Sequence, residues 1–154
     1  MKKKFINVAI ESALEAGSYA KKRKGKIKRI SFKGDINLVT DVDSTCEDII
    51  VSKIQRNFPS HSILAEEGHR KLSPAEYRWI IDPLDGTTNY SRNLPIYSVS
   101  IALEHLGRPI LGVVYDPERD ELFRAEIGKG AYLNKKRIRT SKTRLMKHAF
   151  LVTG

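Results

Sequence analysis

The chain has 154 residues, of which 40% are hydrophobic and 30% charged, with a formal charge of +10 and a single cysteine. This excludes a disordered tail and leaves room for one domain with its own core. Cys46 has no partner for an internal disulfide, no run approaches the ~20 apolar residues of a membrane span, and no signal-peptide apolar stretch follows Met1-Lys2-Lys3-Lys4, so a cytoplasmic protein with no membrane association is expected.

Residues 5–24 are predicted to form the first helix. Ala9, Ala13, Ala16 and Ala20 recur at helical spacing beside Phe5 and Val8, a small-residue stripe that lets another element approach closely, and Gly25 is placed to cap the end. The run Lys21-Lys22-Arg23-Lys24-Gly25-Lys26 reads as a solvated helix end favoured by the helix dipole. Charge is uneven along the chain: 11 Lys/Arg against two acids in residues 1–33, 9 against 16 in residues 34–128, and 8 against none in residues 129–154. An acidic middle between basic ends is not the footprint of a nucleic-acid binder, which gathers basic groups on one face with aromatics among them. A basic nucleic-acid module therefore stands only as a rival, one that requires tight, steeply salt-dependent association through Lys21 to Lys26.

Ile27 to Val39 is expected to be extended, with a turn at Lys33-Gly34-Asp35. A second helix follows, capped by Thr40 or Asp41, with Val42, Cys46, Ile49, Ile50, Ile54 and Phe58 on one face and Pro59 as its stop. Cys46 reads as a small core residue. The strand Ser62-Ile63-Leu64-Ala65 ends directly in Glu66-Glu67-Gly68, residues 69–76 read as a polar loop, and the strand Tyr77-Arg78-Trp79-Ile80-Ile81 ends in Asp82. The second half reads as a meander. Its strands run from Tyr97 to Glu104 (Val99, Ile101 and Leu103 on the face of Tyr97), Ile110 to Tyr115, Glu121 to Glu126, and Ala131 to Leu133. A further strand is expected from Ala149-Phe150-Leu151-Val152. Two helices on a mostly antiparallel sheet make an α+β fold.

The chemistry is expected where two apolar strands end in acids. If those strands pair side by side, Glu66 and Asp82 emerge together, and Asp85 follows across Pro83-Leu84, a link that proline stiffens. Three carboxylates brought together repel unless a cation neutralises them, and hard oxygen donors without His or Cys suit Mg²⁺ or Mn²⁺ rather than zinc. Gly86-Thr87-Thr88-Asn89 suits a helix start, where glycine permits close backbone approach and exposed amides bind phosphate. Singly, each acid has an ordinary explanation: Glu66-Glu67 as a solvated loop pair, Asp82 as a turn starter, Asp43 as a first-turn helix acid. Together they describe metal-assisted hydrolysis of a phosphate ester. His61, His69, His105 and His148 match no ligand spacing and are assigned no role.

Asp82-Pro83-Leu84-Asp85-Gly86-Thr87-Thr88-Asn89, preceded by Trp79-Ile80-Ile81, closely resembles the first signature of the inositol monophosphatase family. Leu38-Val39-Thr40-Asp41-Val42-Asp43, Phe58 to Glu67, Gly112-Val113-Val114-Tyr115 and Gly128 to Asn134 also look like this family, in the expected order over essentially the whole chain. The resemblance implies a Mg²⁺-dependent phosphomonoesterase and gives each residue a role. Glu66 would bind metal and help orient the attacking water, Asp82 would bridge two metals, Leu84 would offer its carbonyl to the first, and Asp85 would bind the second. Thr87, with Asp43 behind it, would activate the water, the backbone amides of Gly86 and Thr87 would hold the phosphate, and Asp85 would also bind substrate.

The same resemblance implies a small phosphate ester as substrate, an inositol monophosphate or related sugar phosphate, with fructose bisphosphate and nucleotide phosphates as alternatives. Thr88-Asn89-Tyr90 looks more like the inositol-type members. Family members are longer, commonly dimeric, and carry a later Trp-Asp signature that completes the second metal site. Residues 1–154 would thus be the amino-terminal α+β metal- and phosphate-binding domain, the first half of the family's layered sandwich, with the carboxy-terminal domain absent. A non-catalytic, metal-binding fragment is the rival that this departure raises.

Overall fold

A stripe of alanines on the first helix and a row of β-branched and aromatic residues on the central strands determine how the layers meet. The structure is a computed structural model and describes residues 2–27, 29–33, 37–68, 70–71 and 74–151. Helix α1 (Lys2–Arg23) buries Ala9, Ala13, Ala16 and Ala20 completely. Without large side chains on that stripe, α1 packs closely on α2 and lies across two sheet strands, β6 and β7, defined below. Gly25 takes a left-handed φ of 72° just past the helix, the conformation that ends a helix at least cost to glycine.

Strands β1 (Ile30–Lys33) and β2 (Asn37–Thr40) form an antiparallel ribbon with Ile30 opposite Thr40, and the turn expected at 33–35 lies largely outside the described residues. Helix α2 (Asp41–Asn57) starts at Thr40, whose hydroxyl accepts from the Val42 N–H. Asp43 reaches back to the Thr40 N–H at 2.9 Å, completing a capping box. Val42, Cys46, Ile50 and Ile54 are fully buried as the helical spacing predicts, while Ile49 is half-buried. The Cys46 thiol donates to the Ala16 carbonyl at 3.4 Å, and burial pushes its pKa up to about 12.

The main sheet has eight strands in the order β10-β9-β8-β7-β6-β5-β3-β4. They are β3 (Ser62–Ala65), β4 (Arg70–Lys71), β5 (Tyr77–Asp85), β6 (Ser98–His105), β7 (Arg108–Asp116), β8 (Glu121–Glu126), β9 (Gly130–Leu133) and β10 (Lys136–Ile138). Every pairing is antiparallel except β3 with β5. Registry aligns Ile63, Trp79, Leu103 and Leu111 in one row and Ala65, Ile81, Ile101 and Val113 in the next. All eight are buried under α1 and α2, so the α+β expectation holds.

Several boundaries differ. Part of the expected polar loop at 69–76 is β4, which pairs with β3, and residues 69, 72 and 73 lie outside the described residues. Strand β5 does not stop at Ile81 but runs on to Asp85 through an irregularity. Lys136–Ile138 forms the unpredicted edge strand β10. Ala149–Leu151 is not a strand: Met146–His148 makes one 3₁₀ turn, the Phe150 side chain is 93% exposed, and among the described residues the apolar run pairs with no strand, while Val152 lies outside them.

The basic end of α1 is not simply solvated. Lys21 Nζ donates to the Pro117 carbonyl at 2.7 Å, and Lys24 pairs with Glu118 at 3.0 Å. Among the described residues no helix is long and apolar enough to cross a membrane.

Candidate active site

Parallel pairing of β3 with β5 sets Ala65 opposite Ile81, and the Glu66 N–H continues the ladder to the Ile81 carbonyl at 3.2 Å. The next residue on each strand is an acid, so Glu66 and Asp82 stand side by side there, close enough to act on each other directly. Burial, then the charge and hydrogen bond of Glu66, then the charge of Asp85 push the Asp82 pKa up to about 7. The Leu84 N–H, donating to Asp82 Oδ1 at 3.2 Å, opposes that rise.

A bulge accounts for the place of Asp85. Asp82 pairs with Ser100 and Asp85 with Ser98, so three steps on β5 oppose two on β6. In a regular strand, residues three apart lie on opposite faces; one inserted residue returns them to the same side. Pro83 and Leu84 fill the core side, while Asp85 is exposed and its Oδ2 accepts from Ser98 Oγ at 3.4 Å. The three carboxylates do not form a closed cage: among the described residues no group of three or more His, Cys, Asp or Glu could hold a metal ion as placed. Glu66 and Asp82 are the close pair, and the charge of Asp85 acts on Asp82 from farther out. The donors are all oxygens and repel one another, so their chemistry fits a hard divalent cation.

Gly86 turns the chain from β5 into the short helix α3 (Thr87–Ser91) with φ 90°. A Cβ at Gly86 would lie 2.9 Å from the Ile96 carbonyl oxygen, so both conformation and space require glycine. Thr87 Oγ1 donates to Asp43 Oδ1 at 2.7 Å and lies 3.0 Å from the Leu84 carbonyl. Asp43 is 1% exposed, and its other oxygen accepts from both the N–H and the hydroxyl of Thr40. Residues 44 positions apart are thereby tied at one point.

Sequence reasoning passed over two participants. The sequence marks Thr40 only as a cap, yet its N–H and hydroxyl both hold Asp43. Glu47, one turn along α2, is 1% exposed and accepts the Glu67 N–H at 2.6 Å. Its signal was legible, because Asp43 and Glu47 interrupt the apolar face of α2 at i,i+4 spacing. His61, assigned no role, accepts the Trp79 indole N–H at 3.0 Å and stacks on Phe58 and Tyr77, a core function with burial lowering its pKa.

The profile of the inositol monophosphatase family matches residues 1–154. The chain is 43% identical over 154 residues to a fructose-1,6-bisphosphatase/inositol-1-monophosphatase of Aquifex aeolicus, covering 99% of this chain and 58% of that protein. To the Nus factor SuhB of Escherichia coli (strain K12) it is 41% identical over 153 residues, covering 97% and 57% respectively. The crystal structure of extragenic suppressor protein SuhB from Bartonella henselae matches with a TM-score of 0.88 at 38% identity, over 91% of this chain and 55% of that one. The chain thus spans little more than half the length of these relatives.

Proposed function

The chain belongs to the inositol monophosphatase family, and from that premise we propose that residues 1–154 form the amino-terminal domain of a magnesium-dependent phosphomonoesterase acting on inositol monophosphate or a related small sugar phosphate. The observation that carries the reading is the meeting of Glu66 and Asp82 at the end of the parallel strand pair, beside the Thr87–Asp43 hydrogen bond. The Aquifex relative, named for both fructose-1,6-bisphosphate and inositol-1-phosphate chemistry, supports the substrate class.

In this reading Glu66, Asp82, Asp85 and the Leu84 carbonyl hold Mg²⁺. When bound, the cation screens phosphoryl charge and lowers the pKa of water. The protein's own part can be followed atom by atom. The single Thr87 hydroxyl proton is held by Asp43, with the Leu84 carbonyl as its other acceptor in reach, so toward a water molecule Thr87 acts only as an acceptor. It therefore orients the water's lone pairs away from itself and toward phosphorus. Asp43 keeps that proton order because its second oxygen is occupied by Thr40. Glu66 accepts a second water proton, and the first-turn amides at Gly86 and Thr87, with Asp85, face the substrate.

A second reading, metal binding without turnover, is favoured by one observation: Asp85 is exposed and bonded to Ser98 Oγ at 3.4 Å, outside the close pair of Glu66 and Asp82. Phosphate release from inositol monophosphate by the purified chain separates the two. Magnesium-dependent release that falls at least ~100-fold in Asp82→Asn supports the phosphatase. A magnesium-induced rise in melting temperature with no release supports the second reading, and neither response removes both.

A further inference from the structure

We infer that Glu47 is a positioning residue that locks the peptide following Glu66 and so, together with the strand ladder that holds the peptide before it, directs the Glu66 carboxylate toward Asp82. The inference rests on the reading above only in giving Glu66 a place in a metal centre. The peptide preceding Glu66 is held by its N–H on the Ile81 carbonyl at 3.2 Å. The peptide following it is held by the Glu67 N–H on Glu47 Oε2 at 2.6 Å. With both flanking peptide planes pinned, φ and ψ of Glu66 are both constrained, and its side chain starts from a fixed direction.

The pin comes from an expensive group. A carboxyl group 1% exposed on a helix that also buries Cys46 and Ile50 loses nearly all its hydration and is costly unless well hydrogen-bonded, whereas packing alone would place an apolar side chain there. What a carboxylate adds is a short, charge-assisted bond to one particular amide. Helix α2 also sets the same spacing to a second use. Asp43 holds Thr87 from the β5–α3 side, and Glu47, four residues on, holds the β3 exit, so one rigid helix face fixes the two sides of the site relative to each other.

Amide hydrogen exchange on the metal-free chain, followed residue by residue, tests this without any reliance on catalysis. In the wild-type chain the Glu66 and Glu67 amides are expected to be protected together. Glu47→Met, which fills the space without offering an acceptor, is expected to speed exchange at Glu67 by roughly tenfold while the Ile54 amide, and the Glu66 amide on its Ile81 carbonyl, change little. Glu47→Gln, whose side-chain carbonyl still accepts, is expected to restore the protection.

Calorimetric titration of Mg²⁺ is the second readout. Affinity is expected to fall roughly tenfold in Glu47→Met and far less in Glu47→Gln, the usual scale for a group that supports a metal ligand. An unprotected Glu67 amide in the wild type, which requires no variant to fold, overturns the inference. So does loss of protection in Glu47→Met with magnesium affinity intact. A wild-type chain that takes up no magnesium overturns the proposed function instead, and the exchange data then decide the role of Glu47 alone.

Discussion

Gly86 shows how much of the site depends on a single backbone conformation. Its φ of 90° is costly to any residue with a Cβ, and the Ile96 carbonyl lies where that Cβ would be. Gly86→Ala is therefore expected to destabilise the fold by about 2 kcal/mol, as a strained φ adds to a backbone contact that has no flexible side chain to yield. Urea titration measures this, and an unchanged midpoint would show that the β5–α3 turn tolerates another conformation. Asp82 and Asp85 carry the complementary lesson. Their chemistry was legible as a pair of acids three apart, but three apart in a strand means opposite faces. Only the bulge against Ser98 and Ser100 sets them on one side.

At the scale of elements, α1 and β7 meet across Gly17. A Cβ there would lie 2.6 Å from the Tyr115 ring, whose hydroxyl is anchored on Asp120 at 2.9 Å. Two effects compete in Gly17→Ala. Alanine favours the helix by ~1 kcal/mol over glycine, whereas overpacking a buried contact costs about 1–3 kcal/mol. The clash is expected to win, giving a net loss near 1 kcal/mol in thermal or urea unfolding, and a gain in stability would mean that α1 lifts freely from the sheet. The helices and central strands were legible because they are long and strongly periodic. The two-residue β4 and three-residue β10 were not, because such short strands have no period of their own and exist through the neighbours they pair with.

At the scale of the whole molecule, one knot joins residues more than 90 positions apart. Lys24 Nζ and the Tyr97 hydroxyl both donate to Glu118 Oε1, at 3.0 and 2.6 Å, while Lys21 reaches the Pro117 carbonyl. The Tyr97 hydrogen bond, against a smaller opposing effect of burial and with Lys24 and Lys21 assisting, holds the Glu118 carboxyl below its ordinary pKa. A carboxyl depressed in the folded state stabilises above the unfolded pKa, about 4.3 for glutamate, and that contribution is lost as pH falls through the lower folded value. Glu118→Gln is therefore expected to melt lower than wild type at pH 7, with the gap closing as pH drops below about 4. Melting curves at pH 7 and pH 3 check this, and a gap that persists at pH 3 would assign the loss to packing instead.

The order of residues along the chain determined by itself the two long helices, the central strands, the α+β class and the acids from which a phosphatase centre is proposed, because apolar period and residue chemistry are local properties. Only tertiary structure decided the rest. The parallel registry of β3 with β5 brings Glu66 onto Asp82, the bulge turns Asp85 to their side, and one face of α2 delivers Asp43 and Glu47 to two separate segments. Lys21 and Lys24, read locally as a solvated terminus, became part of the fold for the same reason. A side chain's partner depends on which distant backbone packing carries to it, and no window of neighbouring residues contains that information.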